Sequence, residues 1–488
     1  MCPRLATYDR STTRILQGPL VLEIARFGVP LALGMVLQTL FNLVDAYLVA
    51  HLPVSEANAA TGALGFCDQL AALGTIVSYG ISTATSAVLS RHQGAGRKEE
   101  VQRAAWQSLL AVSALSLVFV VVGLAFAGPL VRFAFGAKGD VAAIATRYLR
   151  VVVTGSFSIF FLLHLTTIQR ALGSAKTPVA LLAIGNVINL FLAVLLIFGD
   201  GPRPGMFAWG IPIARALHIP RMGMMGAAWA TVIARALVLL PIVWITMRRF
   251  PGIFTPPDSP GIDRRRMREL LTLAWPSSSQ FVLRMSGMIF VHSLVARFFT
   301  TEGTQTATTA MGLVFRIDSM ALFVAMGWGS AAQTFVGQNL GAGLVERARW
   351  TGWITGGYDA LTNVAYVALL LGHALWALSF FSSDAASLAI AIRYVALVAP
   401  SYLGLGFGIA LGNAMAGAGA TKRTMALDAT LVMLIQIPLC AIGLAQERSL
   451  DRLFICVALS NWIGAIVYTI AYARPSWLKR REEGPVSV

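Results

Sequence analysis

Three polar side chains stand where chemistry is costly to place. Gln38, Asn42 and Asp45 lie inside the apolar stretch PLALGMVLQTLFNLVDAYLVA, residues 30–50. Their spacing is i, i+4, i+7, so on a helix they share one face. A carboxylate at membrane depth costs roughly 3 kcal/mol or more, and it faces protein or water rather than lipid. Such a group is neutralised by a proton or by a cation. Competition between the two at Asp45 is a physical basis for exchange: the protonated acid releases a cation, and the deprotonated acid reloads. Gln38 and Asn42 can hydrogen-bond either form and so soften the desolvation cost. The plainer alternatives are a structural pairing of Asp45 with an arginine, and amides that act as glue between helices. Pro30 lies about four helical turns before Asp45. There it frees a backbone carbonyl and forms either a hinge or a static kink.

The elements that must position these groups are membrane helices. The chain has 488 residues, 57% hydrophobic and 12% charged, with a mean hydropathy of +0.71. That composition describes an all-α polytopic membrane protein rather than a soluble one. The net charge of +16 does not point to nucleic acid, because the basic residues sit in short loops between apolar runs. Cys2, Cys67, Cys440 and Cys456 are scattered and read as small buried hydrophobes rather than disulfides or a metal site. Arg4, Arg10 and Arg14 precede the first long apolar run without a cleavage signal, so the first helix is expected to insert and stay.

Apolar runs long enough to span occur near 25–50, 57–89, 103–127, 141–168, 177–199, 224–247, 269–299, 305–335, 349–372, 385–414, 424–445 and 451–473. They imply twelve transmembrane helices. Alternate loops differ in charge: about 23 basic residues fall on one set and about 7 on the other, which places both termini in the cytoplasm of a cell (inner) membrane. The loop RRFPGIFTPPDSPGIDRRRMR, residues 248–268, reads as a linker between an N-terminal lobe, 1–247, and a C-terminal lobe, 269–488. The segment 199–223 is long enough for an interfacial helix or a lid.

The halves repeat. Pro30 pairs with Pro276, the GAG at 94–96 with the GAG at 341–343, Arg147–Tyr148 with Arg393–Tyr394, and Gly173 with Gly419, at offsets of 246 or 247 residues. Six spans in each half give a parallel repeat related by an axis along the membrane normal, an architecture that readily supports alternating-access transport. The GAG turns suit tight helix connections better than phosphate binding.

The repeat also makes the halves chemically unequal. Gln38 aligns with Arg284, Gln69 with Arg316 and Asp45 with Val291. Arg284 and Asp318 fall at similar depth, so a structural Arg284–Asp318 pair is expected, since unpaired membrane charges are costly. The alternative is that Arg284 and Arg316 line a cavity and receive an anionic or zwitterionic substrate. Asp68 and Asp359 are further intramembrane acids, each a candidate second proton site, whereas His164 and His292 read as lone buried groups. The chain has no HExxH, no Asp-rich pyrophosphate motif and no GxxxxGK[ST], so an enzyme or a direct ATP drive is not expected, and no organic cofactor is implied.

The combination of P…NxxD in the first span, RHQGAGRKEEVQRA after the second, RALGSAKTP after the fourth and FVGQNLGAGLVERAR after the eighth resembles the MATE (multidrug and toxic compound extrusion) transporters across nearly the whole chain. The resemblance implies two six-helix lobes in a V around a central cavity. It also implies export of small, organic, often cationic compounds against inward H⁺ or Na⁺. The NorM-like branch carries a Glu where this chain has Arg284, and an Asp in a stretch that here, at 402–420, contains no acid. The DinF-like branch is matched better: Asp45 by its first-span Asp, Asn189 by its fifth-span Asn and Thr231 by its sixth-span Thr. Ala193 stands where that branch has a second Asp. In that branch bending of the first helix is linked to protonation, which would make Pro30 a hinge. Loss of the second carboxylate removes hard oxygen ligands that Na⁺ would want and favours H⁺ as the coupling ion. The expectation is a monomeric organic-cation/H⁺ antiporter with Asp45 as coupling carboxylate. The rival within the same superfamily is a lipid-linked saccharide flippase that uses Arg284 and Arg316.

Overall fold

The structure is a computed structural model. It describes residues 10–52, 54–134, 139–255, 261–300, 306–379 and 384–478, with the side chains at 40–43, 45, 46, 50, 54–73, 133, 134 and 139–141 outside the description. Every regular element among the described residues is helical. An apolar run in lipid must satisfy its backbone groups internally, and a helix does so within one segment. The N-terminal half holds α1 (Arg10–Gln17), α2 (Leu20–Ala50), α3 (Val54–Gly94), α4 (Lys98–Pro129), α5 (Gly139–Thr154), α6 (Ser156–Ala171), α7 (Lys176–Phe198), α8 (Gly210–Ala216) and α9 (Met224–Arg249). The C-terminal half holds α10 (Arg264–Phe299), α11 (Thr306–Gly341), α12 (Val345–Ser379), α13 (Ala385–Val398), α14 (Tyr402–Gly417), α15 (Thr421–Ala429), α16 (Ile437–Gln446) and α17 (Leu450–Ala473). A π-helical segment, Thr430–Gln436, joins α15 to α16.

Among the described residues, ten helical segments are long and apolar enough to cross a membrane, or eleven if the pair at 142–154 and 156–171, bent by 45°, is one span. The expected run at 57–89 falls within α3, where residues 54–73 lie outside the side-chain description.

The internal repeat reappears in the backbone. Gly96 and Gly343 have φ of 72° and 80°, and Gly173 and Gly419 have 92° and 82°. These are left-handed conformations that a Cβ disfavours. Each glycine ends a helix with the same closure: Arg97 N–H donates to His92 O at 3.1 Å, as Leu344 N–H does to Asn339 O at 2.8 Å. Ser174 N–H to Gln169 O (2.8 Å) and Ala420 N–H to Met415 O (3.0 Å) repeat the pattern. Such six-to-one bonds satisfy carbonyls that a helix end leaves unpaired.

The contacts cluster into two compact units. One, the C-bundle, comprises Met1–Ala32, Ser86–Arg97 and Ser279–Val488; the other, the N-bundle, comprises Leu33–Thr85 and Lys98–Ser278. The C-bundle core joins Val291 and Val295 of α10, Val314 and Ile317 of α11, Tyr394 of α13, Tyr402 of α14 and Phe454 of α17. Cys440 and Cys456 are buried and free within it. The N-bundle core joins Leu48 and Val49 of α2, Tyr148 and Leu149 of α5, Ala193, Val194 and Ile197 of α7, and Ala227 and Ala228 of α9.

The linker between halves is held to the start of α4. Gln102 Nε2 donates to Thr255 O at 3.0 Å and Gln107 Nε2 to Gly261 O at 2.9 Å. Arg266 bridges Glu100 (3.1 Å) and Asp263. Asp263 in turn accepts from the N–H groups of Arg265 (2.9 Å) and Arg266 (3.2 Å), so it caps α10. These N–H groups, that of Arg266 foremost, and the Arg266 guanidinium hold the Asp263 carboxyl below the usual carboxylate range. The segment after α7 forms the short helix α8, beside which Met206 and Leu217 are exposed.

Candidate functional site

The polar face of α2 is a face of one continuous helix. Leu20–Ala50 is helical throughout and includes Pro30. Gln38 is half-buried on it. The side chains of Asn42 and Asp45 lie outside the described residues. Their level in the N-bundle follows from described neighbours. A Cβ at Gly34 would lie 3.2 Å from Val179 of α7. Further along, Leu48, Val49 and Leu52 share a core cluster with Ala193, Val194 and Ile197. The two helices therefore run alongside in the same direction, and residue 45, eleven residues beyond Gly34, falls near the level of residue 189, ten residues beyond Val179. Asn189 is 4% exposed and Ala193 fully buried. On α9, a Cβ at Gly226 would meet the backbone of Leu196, and one at Gly185 would meet Val238. This antiparallel register puts the half-buried Thr231 within about one turn of Asn189.

The C-bundle contains a partly open cavity of about 160 Å³. Arg284, Met288 and Val291 of α10 all line it. These are the repeat partners of Gln38, Asn42 and Asp45. Asp318, Tyr394, Tyr402, Asp428, Gln436 and Tyr468 line it as well.

The expected Arg284–Asp318 pair does not form. Arg284 instead grips Asp428 of α15 through two hydrogen bonds, Nε to Oδ2 at 3.1 Å and a terminal nitrogen to Oδ1 at 3.2 Å. Gln280 (3.1 Å) and the Tyr468 hydroxyl (2.8 Å) donate to the same carboxylate. Asp428 satisfies Arg284 because the fork of a guanidinium matches a carboxylate edge, and the extra donors fill the remaining lone pairs. Asp318 lies in the same cavity but is held by hydroxyls, those of Tyr394 (2.8 Å) and Tyr402. His292 places its two ring nitrogens 2.9 and 3.1 Å from the carbonyls of Met288 and Met311. Arg316 is exposed and not among the cavity-lining residues. Among the described residues that line the cavity, the one guanidinium, that of Arg284, is already paired with Asp428.

Asp428 was not singled out from the sequence. Its repeat counterpart is apolar, so symmetry gave no hint; the available signal was a lone acid inside an apolar run. The tyrosine partners carry no such signal. Asp359 is fully buried on α12, and among the described residues its one hydrogen bond comes from Asn363 Nδ2 at 3.0 Å. His164 is buried against Ser108 (2.9 Å). Asp68 and Gln69 lie outside the side-chain description. Among the described residues no cluster of His, Cys, Asp or Glu could hold a metal ion.

Comparison with known proteins adds an independent line. The family model MatE matches residues 30–195 and 276–442. "Probable multidrug resistance protein YpnP" of Bacillus subtilis (strain 168) is 24% identical over 431 residues, covering 87% of this chain and 89% of the relative. "Probable multidrug resistance protein YoeA" of the same organism is 27% identical over 457 residues, covering 92% and 90%. A solved structure, "Outward-facing conformation of a multidrug resistance MATE family transporter of the MOP superfamily", superposes with a TM-score of 0.84 at 22% identity, over 96% of this chain and 99% of the other.

Proposed function

The chain belongs to the MatE family, and from that premise we propose that it exports small organic cations in exchange for protons, with Asp45 as the coupling carboxylate. Proteins of this family are transporters rather than enzymes, embedded in a membrane by multiple spans. The finer reading is a monomer of twelve spans in a cell (inner) membrane, with both termini cytoplasmic and lobes at 1–247 and 269–488, closer to the DinF-like than the NorM-like branch.

One observation carries the coupling site. The repeat partners of Gln38, Asn42 and Asp45 line a cavity inside the C-bundle. By the same repeat, the polar face of α2 would look into its own bundle, where a carboxylate would meet cargo or water instead of lipid. Asn189 at the level of residue 45, and Thr231 within a turn of it, would supply neutral oxygens beside that acid. Ala193 supports H⁺ over Na⁺: it sits fully buried among apolar neighbours where a second acid would have offered hard ligands. An anionic cargo is less well supported, because Arg284 is already engaged by Asp428. Pro30 would provide the bend of α2 that accompanies the cycle.

Reconstitution in liposomes tests the reading. An inward-directed H⁺ gradient should drive uphill efflux of a fluorescent organic cation, and an equal Na⁺ gradient at constant pH should not. Efflux driven by Na⁺ alone would contradict proton coupling; efflux of anions but not cations would contradict the cargo class.

A further inference from the structure

Asp359 occupies an unusual position among the acids of the C-bundle. It lies about 15 Å beyond Arg349 along α12, within the apolar part of the helix. It is fully buried, as is Asn363 one turn later at 1% exposure. Asn363 Nδ2 donates to Asp359 Oδ2 at 3.0 Å. The other carboxylate oxygen of Asp359 and the amide oxygen of Asn363 have no donor among the described residues. The pair presses into a notch on α14: a Cβ at Gly406 would come within 1.9 Å of Asp359 Oδ2 and 2.4 Å of Asn363 Nδ2.

The surroundings supply no counter-charge. On α12, Tyr358 donates to Val21 O (3.2 Å) and Tyr366 to Ile317 O (3.1 Å). On α13 and α14, Tyr394 and Tyr402 are committed to Asp318 of α11, and Arg393 to Asp451. On α17, Tyr468 is committed to Asp428 and Tyr472 to the carbonyl of Arg349 (3.0 Å). No basic side chain among the described residues lies within ion-pair distance of Asp359, in contrast to Asp428 with its arginine. An ionised Asp359 would leave an uncompensated charge and two orphan acceptors side by side. One proton removes the charge and turns one orphan acceptor into a donor. A metal cation fits less well. It needs several oxygen ligands, whereas the site presents two free oxygens and is closed on one side by the α14 backbone.

We propose that Asp359 and Asn363 form a proton-binding site in the C-bundle, distinct from the carboxylate on α2. The proton is held while α12 and α14 stay packed at Gly406, and it is released when water reaches Asp359 as they part. This site does not depend on Asp45 being the coupling group.

Infrared titration of the purified protein tests it. The wild type is expected to show a protonated-carboxyl band that disappears reversibly on alkalinisation. The component of that band due to Asp359 should be lost in Asp359→Asn and kept in Asp45→Asn. Transport by Asp359→Asn in liposomes should move one proton fewer per cargo molecule. A band of undiminished intensity in Asp359→Asn, an Asp359-dependent component insensitive to pH or removed by Na⁺ at fixed pH, or an unchanged stoichiometry would each overturn the proposal. If Asp359→Asn does not fold, Gly406→Ala, which crowds the carboxyl, should shift the midpoint of the same band; an unshifted midpoint would equally overturn it.

Discussion

At the scale of residues, three acids of the C-bundle are held in three ways. Asp428 is matched by a guanidinium fork, Asp318 by two phenol hydroxyls, and Asp359 by a single amide. The first arrangement makes a clear energetic prediction. Arg284→Met strands Asp428, which is 5% exposed, and Asp428→Leu strands Arg284. Each should cost on the order of 3 kcal/mol, because removing one partner leaves a buried charge unpaired. The double variant should recover most of that loss, since an apolar pair of similar size carries no desolvation cost. Thermal unfolding in detergent distinguishes the outcomes, and a double variant no more stable than either single one would refute a paired role. The Asp318 arrangement predicts a smaller effect: Tyr402→Phe should cost about 1 kcal/mol, the worth of one hydrogen bond.

At the scale of elements, the repeated turns were legible and several connections were not. Glycines at matching offsets in the two halves announced Gly96 and Gly343, because a Cβ disfavours their positive φ. Gly343→Ala and Gly96→Ala should each destabilise by about 1 kcal/mol. Gly312→Ala, in open space on α11, should stabilise by roughly 0.5–1 kcal/mol through helix propensity. Matched melting curves for the three variants would check both signs. The helix α8 was left undecided by the sequence because seven residues carry too little periodicity to mark a helix. The cap of α10 adds a pH-dependent test. Asp263 has a depressed folded-state carboxyl, so its contribution is present above the unfolded carboxylate range and is lost as pH falls through the folded value. Asp263→Ala should therefore be less stable than wild type by about 1 kcal/mol near pH 7. The difference should shrink as pH falls below the usual carboxylate range and the carboxyl protonates. A difference that grows on acidification would contradict the capping role.

At the scale of the whole molecule, the helical membrane fold was legible because hydropathy, loop charge and the internal repeat agree. The pairing within it was not. Depth estimated along a helix brought Arg284 and Asp318 to one level but could not say which way each side chain pointed, and the arginine turned to α15. Asp45 occupies the repeat position of Val291, a cavity-lining residue, and it is the one acid in the stretch 30–50. The most direct test compares Asp45→Asn with wild type in liposomes, with both variants shown to be folded by equal melting temperatures. The account predicts that the variant loses proton-driven uphill efflux of an organic cation down to the level of protein-free vesicles. Uphill efflux by Asp45→Asn equal to wild type under the same gradient would contradict it.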